Sequence, residues 1–227
     1  FNTMLSALGR SLAQQKQLVQ DASHELRTPL TSLRANAELL ERPDLPEQTR
    51  REIIHDMRAE VDELTALSSE LSALASNQSD TESPSIVRLD DAVRELTERA
   101  QRRTGRTITL HTTNPGVINV RPNQFDRAVS NLIDNAIKFS PAGSAIEVFV
   151  RDSRVEVHDS GPGIAPEDRP FVFDRFYRAA GTRSFPGSGL GLAIVKQFAD
   201  IHGAQTLVGA SGTGGAMVGL DLSPAAA

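Results

Sequence analysis

NLIDNAIKF, Asn131–Phe139, is the stretch on which the fold turns, and two later segments are read with it: DSGPGI (Asp159–Ile164) and GSGLGLAIV (Gly187–Val195). Asn131 and Asn135 lie four apart, so on a helix both carboxamides project from one face. Carboxamide oxygens suit Mg2+, a hard ion that keeps waters and takes phosphate oxygens as its other ligands. Lys138, three residues further along that face, offers a point charge for phosphate, and Phe139 can pack on a base plane. Alone the pattern is weak, since capping or surface roles explain most such asparagines.

Asp159 follows a strand pattern ending in His158, and Gly161 and Gly163 come next. A carboxylate at a strand end can accept from the exocyclic amine of adenine while the glycines let backbone approach the base. Taken alone, the same run fits a tight turn equally well. Gly187, Gly189 and Gly191 lead into a helical run beginning near Leu190, which presents N–H donors and a positive dipole end to phosphate. A dinucleotide-binding fingerprint is excluded here, because it opens a βαβ unit after a strand, whereas these glycines follow a loop late in the chain. Between the segments, FVFDRFYR (Phe171–Arg178) supplies Phe173 and Phe176 as anchors for a mobile segment. Arg175 or Arg178 can clamp outer phosphates; a short amphipathic helix with solvated arginines is the plainer alternative.

Outward from these segments, the sequence predicts helices at Leu89–Arg103, Pro122–Phe139 and Leu190–His202, the last ended by Gly203. Short strands are expected at Ile108–His111, Val117–Val120, Ile146–Val150 and Val155–His158, with glycine-punctuated strand over Gln205–Leu222. This portion reads as a layered α/β domain. The first third is different. Leu5, Leu8, Leu12, Val19, Ala22, Leu26, Leu30, Leu33, Ala37 and Leu40 recur mostly at three- and four-residue steps. The turn ERPDLPEQ (Glu41–Gln48) interrupts the pattern, which resumes at Ile53, Met57, Val61, Leu64, Leu67, Leu71 and Leu74. Each helix of this hairpin has a narrow apolar seam, which two chains can bury as a four-helix bundle, so a homodimer is expected. SNQSDTESPS (Ser76–Ser85) lacks large apolar residues and reads as linker.

The bulk numbers bound the reading. With 227 residues, 39% apolar and 23% charged, the chain is an ordinary globular protein with room for one large domain or two modest ones. A net charge of -5 without a basic stripe argues against nucleic acid, and no cysteine means no disulfide, thiolate metal site or cysteine nucleophile. No apolar run reaches the roughly 18–20 residues that span a bilayer.

DASHELRTPL, Asp21–Leu30, lies in the first helix. His24 stands two residues from both Ala22 and Leu26, about 200° around the helix from that seam, so it faces solvent. A phosphoryl acceptor needs a neutral imidazole whose other nitrogen holds its proton against a carboxylate. Glu25 is either that orienter or base, or an ordinary surface glutamate. Pro29 cannot donate to the carbonyl of Glu25 and should bend the helix. Thr28, one turn from His24, either positions a water for dephosphorylation or is a plain pre-proline residue. His55, His111, His158 and His202 show no partner pattern and read as structural.

Over nearly its whole length the chain resembles the sensor histidine kinases of two-component systems. His24 with Glu25 and Thr28 looks like their phosphoacceptor box, and the later segments look like their asparagine, first glycine, phenylalanine and second glycine boxes. The resemblance implies an α+β fold: an antiparallel helical hairpin forming a dimeric four-helix bundle, then an α/β two-layer sandwich of the GHKL ATP-binding type. It divides the chain into the end of a HAMP signalling helix (1–15), the dimerisation and phosphotransfer hairpin (16–76), a linker (77–86) and a catalytic domain (87–224). It implies ATP and Mg2+ as cofactors, with Asn131 and Asn135 as metal ligands aided by Lys138. Asp159 is implied as adenine reader, with Gly161, Gly163, Gly187, Gly189, Leu190 and Gly191 shaping pocket and lid. The implied partners are a second copy and the receiver domain of a response regulator, and membrane attachment comes through upstream segments only. The chain is then the cytoplasmic portion of an inner or plasma membrane sensor.

Two departures are visible: His202-Gly203-Ala204 where many members have HGG, and no aromatic in GTGGAMVGLDL. The alternatives are a GHKL-fold ATPase and an inactive nucleotide-binding scaffold. The gyrase and Hsp90-like machines resemble each other in carrying a water-activating glutamate where this chain has Asn131, and an amide cannot act as that base. For the scaffold, no expected polar group is missing.

Overall fold

The computed structural model describes residues 2–76, 82–182, 185 and 187–225. Phe1 of the HAMP-like stretch and residues 77–81 of the expected linker lie outside the described residues, and residues 2–15 are described as backbone only. The chain divides into two compact units, Phe1–Ser72 and Ala73–Ala227.

The first unit is the hairpin of α1 (Asn2–Leu40) and most of α2 (Glu47–Ser76). Helix α1 runs unbroken through Pro29, so the missing N–H is tolerated within the helix. At the turn, the Arg50 guanidinium donates to the Leu40 carbonyl (3.1 Å), placing a cation on the negative end of α1. Ser32 donates to Glu60 across the hairpin at 3.4 Å. Ile53 and Leu67 are buried, yet Val19 and Leu30 on the α1 seam remain 62% and 55% exposed. One hairpin leaves its seam wet.

The second unit is a five-stranded sheet with three helices on one face. Its strands are β2 (Ile108–Thr113), β4 (Ile146–Arg151), β5 (Arg154–His158), β6 (Gln205–Ala210) and β7 (Ala216–Asp221), in the order β2-β4-β5-β7-β6. Only β2 and β4 are parallel, and the chain passes between them through β3 (Val117–Val120) and α4 (Pro122–Phe139). Alternation sets the faces: Ile146, Val148 and Val150 of β4 turn inward opposite Val155 and Val157 of β5. Onto that face pack α3 (Leu89–Thr104), α4 and α5 (Gly191–His202), with Leu89, Val93, Phe125, Leu132 and Phe198 at or near zero exposure. Fully burying one such side chain is worth about 1.5–3 kcal/mol.

One feature departs from the sequence reading. Ser85–Arg88 forms a strand, β1, antiparallel to β3, although its first two residues fall within the expected linker. Of the four histidines read as structural, His111 meets Glu147 at 3.1 Å, His158 meets Glu156 at 3.2 Å and His202 meets Gln124 at 3.3 Å. His111–Glu147 is a cross-strand contact that linear spacing does not reveal, whereas His158 and Glu156, two apart on β5, share its outer face. Burial, then the Arg121 charge, holds the His202 imidazole below its ordinary pKa. Among the described residues no helix is long and apolar enough to cross a membrane.

Candidate functional site

Helix α4 is the rail on which the second unit's candidate residues are mounted. Pro122 opens it, and Leu132, Ile133 and Ala136 bury its inner face. That anchorage turns Asn131, Asn135 and Lys138 toward the half-exposed side. Asn131 donates through Nδ2 to the Arg127 carbonyl (2.8 Å), which fixes its amide. Its Oδ1 lies 2.9 Å from where a side chain on Gly191 would begin. Asn135 makes no hydrogen bond to another described residue and is half-exposed, so its carboxamide oxygen is available to a ligand. Lys138 Nζ sits 4.7 Å from the Phe139 ring centroid and 2.6 Å from the Cβ position of Gly187. The asparagine segment and the second glycine segment, some fifty residues apart in sequence, are therefore packed together.

At the other end of α4 the base-side residues converge. Asp159, at the end of β5, is 3% exposed. Its Oδ1 accepts from the backbone N–H of Gly161 (2.8 Å) and of Ala216 (3.0 Å). Those charge-assisted bonds offset the desolvation of the carboxylate. Oδ2 has no partner among the described residues. A Cβ on Gly161 would lie 2.7 Å from the Phe139 carbonyl oxygen, so the residue must be glycine for space. Gly163 approaches Gly215 from the opposite side.

Between α4 and α5 the Phe171–Arg178 segment is folded against the unit: Phe173 packs on the core and Tyr177 donates to Asp168 (2.5 Å). Phe176 adopts φ 61°, a left-handed conformation costly for a bulky residue, and its N–H donates to the Gly189 carbonyl (3.1 Å). Gly189 itself has φ +76°, and a Cβ there would meet the Phe176 backbone at 2.9 Å. Arg178 donates to the carbonyls of Thr182 (3.3 Å) and Phe185, just beyond its own segment. Arg175 is half-buried in the same stretch. Phe185 packs on Phe139 with ring centroids 5.1 Å apart. Leu190 is fully buried and contributes through its N–H, which donates to Ser188 Oγ (3.1 Å) just before α5.

In the first unit, His24, Glu25 and Thr28 are all exposed on α1, and no hydrogen bond joins them. The imidazole faces solvent, as its offset from the seam leads one to expect.

The sequence reading missed several site residues. Gly215 stands so close to Asp159 that a Cβ would fall 2.2 Å from its carbonyl oxygen, and Thr213 Oγ1 donates to that same carbonyl (2.8 Å). Ser140 Oγ accepts the N–H of Ser160 (3.2 Å). Gly214-Gly215 had passed only as strand punctuation, although a glycine pair before a strand is a signal of close backbone approach. Among the described residues there is no cluster of three or more His, Cys, Asp or Glu able to hold a metal ion. The half-exposed Asn135 carboxamide, which makes no hydrogen bond to another described residue, is an oxygen donor of the kind Mg2+ takes.

Comparison with known proteins agrees with both units. Residues 14–80 match the His Kinase A (phospho-acceptor) domain, and residues 120–225 match the family described as histidine kinase-, DNA gyrase B-, and HSP90-like ATPase. The signal transduction histidine-protein kinase/phosphatase MprB of Mycolicibacterium paratuberculosis is 42% identical over 92% of this chain and 42% of its own length. The MprB of Mycolicibacterium smegmatis is 40% identical over 95% of this chain and 46% of its own length. The chain thus spans less than half of the curated relatives it matches. Among solved structures, the mycobacterial sensor histidine kinase MprB is 36% identical with a TM-score of 0.54, covering 60% of this chain and 95% of that one. Full-length ShkA in complex with AMPPNP is 26% identical with a TM-score of 0.61, covering 93% of this chain and 46% of that one.

Proposed function

The chain belongs to the sensor histidine kinases of two-component systems, and on that premise we propose that it phosphorylates its own His24 from Mg-ATP. The phosphoryl group then passes to an aspartate of a response-regulator receiver domain, and the chain also dephosphorylates that regulator. One observation carries the reading. The Asp159 carboxylate, pinned through Oδ1 at the end of β5, stands beside the C-terminal end of α4, which carries an Asn135 amide without a hydrogen bond to another described residue, on a chain whose other unit presents an exposed histidine.

Asp159 Oδ2 accepts from the adenine amine, and Phe139 lies against the base. Asn135, with Asn131, holds Mg2+ through carboxamide oxygens, which supplies charge neutralisation at the phosphates when bound. Lys138 and the N–H groups entering α5 face the phosphate tail. His24 attacks through Nε2, forming the N–P bond as the bond from the γ-phosphorus to the bridging oxygen breaks and ADP leaves. Glu25 takes up the Nδ1 proton in hydrogen bonding as the ring becomes positive, which needs only a rotation of two exposed side chains. Thr28 orients water for the reverse duty on the regulator. Asn131 cannot act as a base, which favours transfer over hydrolysis.

The exposed α1 seam supports a homodimer through the hairpin, and the fragment is the cytoplasmic portion of a membrane-attached sensor. The test is incubation with labelled ATP and Mg2+. Acid-labile, base-stable label that vanishes in His24→Gln is expected, and label surviving in that variant refutes the assignment. Asp159→Asn should bind a fluorescent ATP analogue far more weakly while remaining folded.

A further inference from the structure

We infer that Arg106 is a positioning residue for the base end of the nucleotide site, acting through the turn that follows α4. Arg106 lies in the connection from α3 to β2 and is half-buried. Its Nη1 donates to the Ser140 carbonyl (3.2 Å). Its Nη2 donates to the Pro141 carbonyl (2.8 Å) and reaches the carbonyl and Oγ of Ser144 at 3.4 Å each. One cation thus gathers three carbonyls of a single turn. Ser140 is the C-cap of α4, so the guanidinium also sits at the negative end of that helix. Its Nε is buried without a partner, a desolvation cost that the triple grip offsets.

The turn it grips reaches Asp159 by two routes. Ser140 Oγ, itself buried, accepts the Ser160 N–H (3.2 Å), and Ser160 Oγ donates to the Ala145 carbonyl (2.9 Å). Ser160 is therefore held at both ends of the turn, and it lies between the carboxylate of Asp159 and the Gly161 N–H that pins it. The other flank of Asp159 needs no such help. There the Asp159 N–H donates to Ala216 (2.9 Å) as an extension of the β5–β7 ladder. The Ser160–Gly161 flank has no ladder, and Arg106 takes its place. Asn135 and Asn131 stand about 1.4 and about 2.5 helical turns before this grip on α4, and Gly191 belongs to α5, so the phosphate side has its own anchorage.

This inference rests on the reading of Asp159 as the adenine contact. Loss of Arg106 should weaken base recognition and leave the phosphate end intact. For Arg106→Ala, the KM for ATP in autophosphorylation should rise about tenfold with kcat within about twofold, the loss of one set of charged hydrogen bonds. In an Asp159→Asn background the same substitution should add nothing to the loss of ATP affinity, because both act on one group. Arg154→Gln, which removes the Arg154–Asp221 pair (2.8 Å) elsewhere on the sheet, serves as the structural control and should leave KM alone. Arg106→Lys keeps the charge as a single point and should raise KM less than Arg106→Ala; if the alanine variant does not fold, the lysine variant carries the test. Unchanged KM in a folded variant, a KM rise matched by Arg154→Gln, or full additivity with Asp159→Asn overturns the inference. Wild-type protein that binds no ATP overturns the functional reading and this one with it; a wild type that binds normally beside an unaffected Arg106 variant overturns this one alone.

Discussion

The hairpin and the α/β unit bury their apolar residues to very different extents. In the α/β unit, side chains from three helices and five strands reach zero or near-zero exposure in one continuous core. Among the described residues of the first unit, Ile53 and Leu67 are the buried apolar side chains, while Val19, Leu30, Leu39 and Val61 of its two helices stay exposed. The contrast teaches that the α/β unit is stabilised by its own packing, whereas the hairpin carries an exposed apolar stripe. A nucleotide site needs a rigid frame, and a phosphoacceptor helix needs an accessible face. The two units divide those demands.

The sharpest way to break the comparison is to cut each core. Phe125→Ala, at a fully buried position in the α/β unit, should cost about 3–5 kcal/mol in urea unfolding. An equal loss at Leu30 in the monomeric hairpin would erase the distinction. Leu30→Glu should instead act on assembly, weakening dimerisation by about 30-fold, the worth of a roughly 2 kcal/mol interface residue. Sedimentation across a concentration series measures it, and melting of the α/β unit should stay unaltered.

Protonation sharpens the comparison further. His202 is held below its ordinary pKa by burial and then by Arg121, so it is neutral in the folded α/β unit. Its contribution is present above the unfolded value of about 6.5 and is lost as pH falls, because the unfolded chain takes up the proton first. Urea midpoints should therefore decline below that pH, and His202→Gln should flatten the decline. Asp126 has the opposite sign. Burial, partly opposed by Arg99 and reinforced by Glu95 and Glu82, raises its carboxyl pKa, so its charge at neutral pH disfavours the fold. Asp126→Asn should raise the melting temperature at pH 7 by under about 2 °C, with the gain vanishing in acid. Smallest of all, Arg34→Ala removes an exposed i,i+4 pair with Glu38 on the hairpin and should change stability by no more than about 0.5 kcal/mol.

Legibility in the sequence followed the range of the signal. Helix α4 begins at Pro122 and ends at Phe139 as its proline and apolar period foretell. Strands β4 and β5 form within one residue of their expected bounds, and His24 stands exposed as its angular offset from the seam requires. Strand β1 escaped because Ser85–Arg88 is short, mostly exposed and has no alternation of its own; it exists by pairing with β3. Gly215 and Thr213 escaped because their importance lies in their distance from Asp159, not in their neighbours along the chain.

By itself the sequence determined the elements and the chemistry available to them, since periodicity, end signals and residue type act within a turn or a strand. Which groups meet was decided only by the tertiary structure. Asn131 lies against Gly191, Asp159 is gripped by Gly161 and Ala216, and Arg106 holds a turn some 34 to 38 residues away. Those contacts depend on strand order and helix packing, and a buried carboxylate or guanidinium takes its role from whichever backbone groups that packing brings within hydrogen-bond reach.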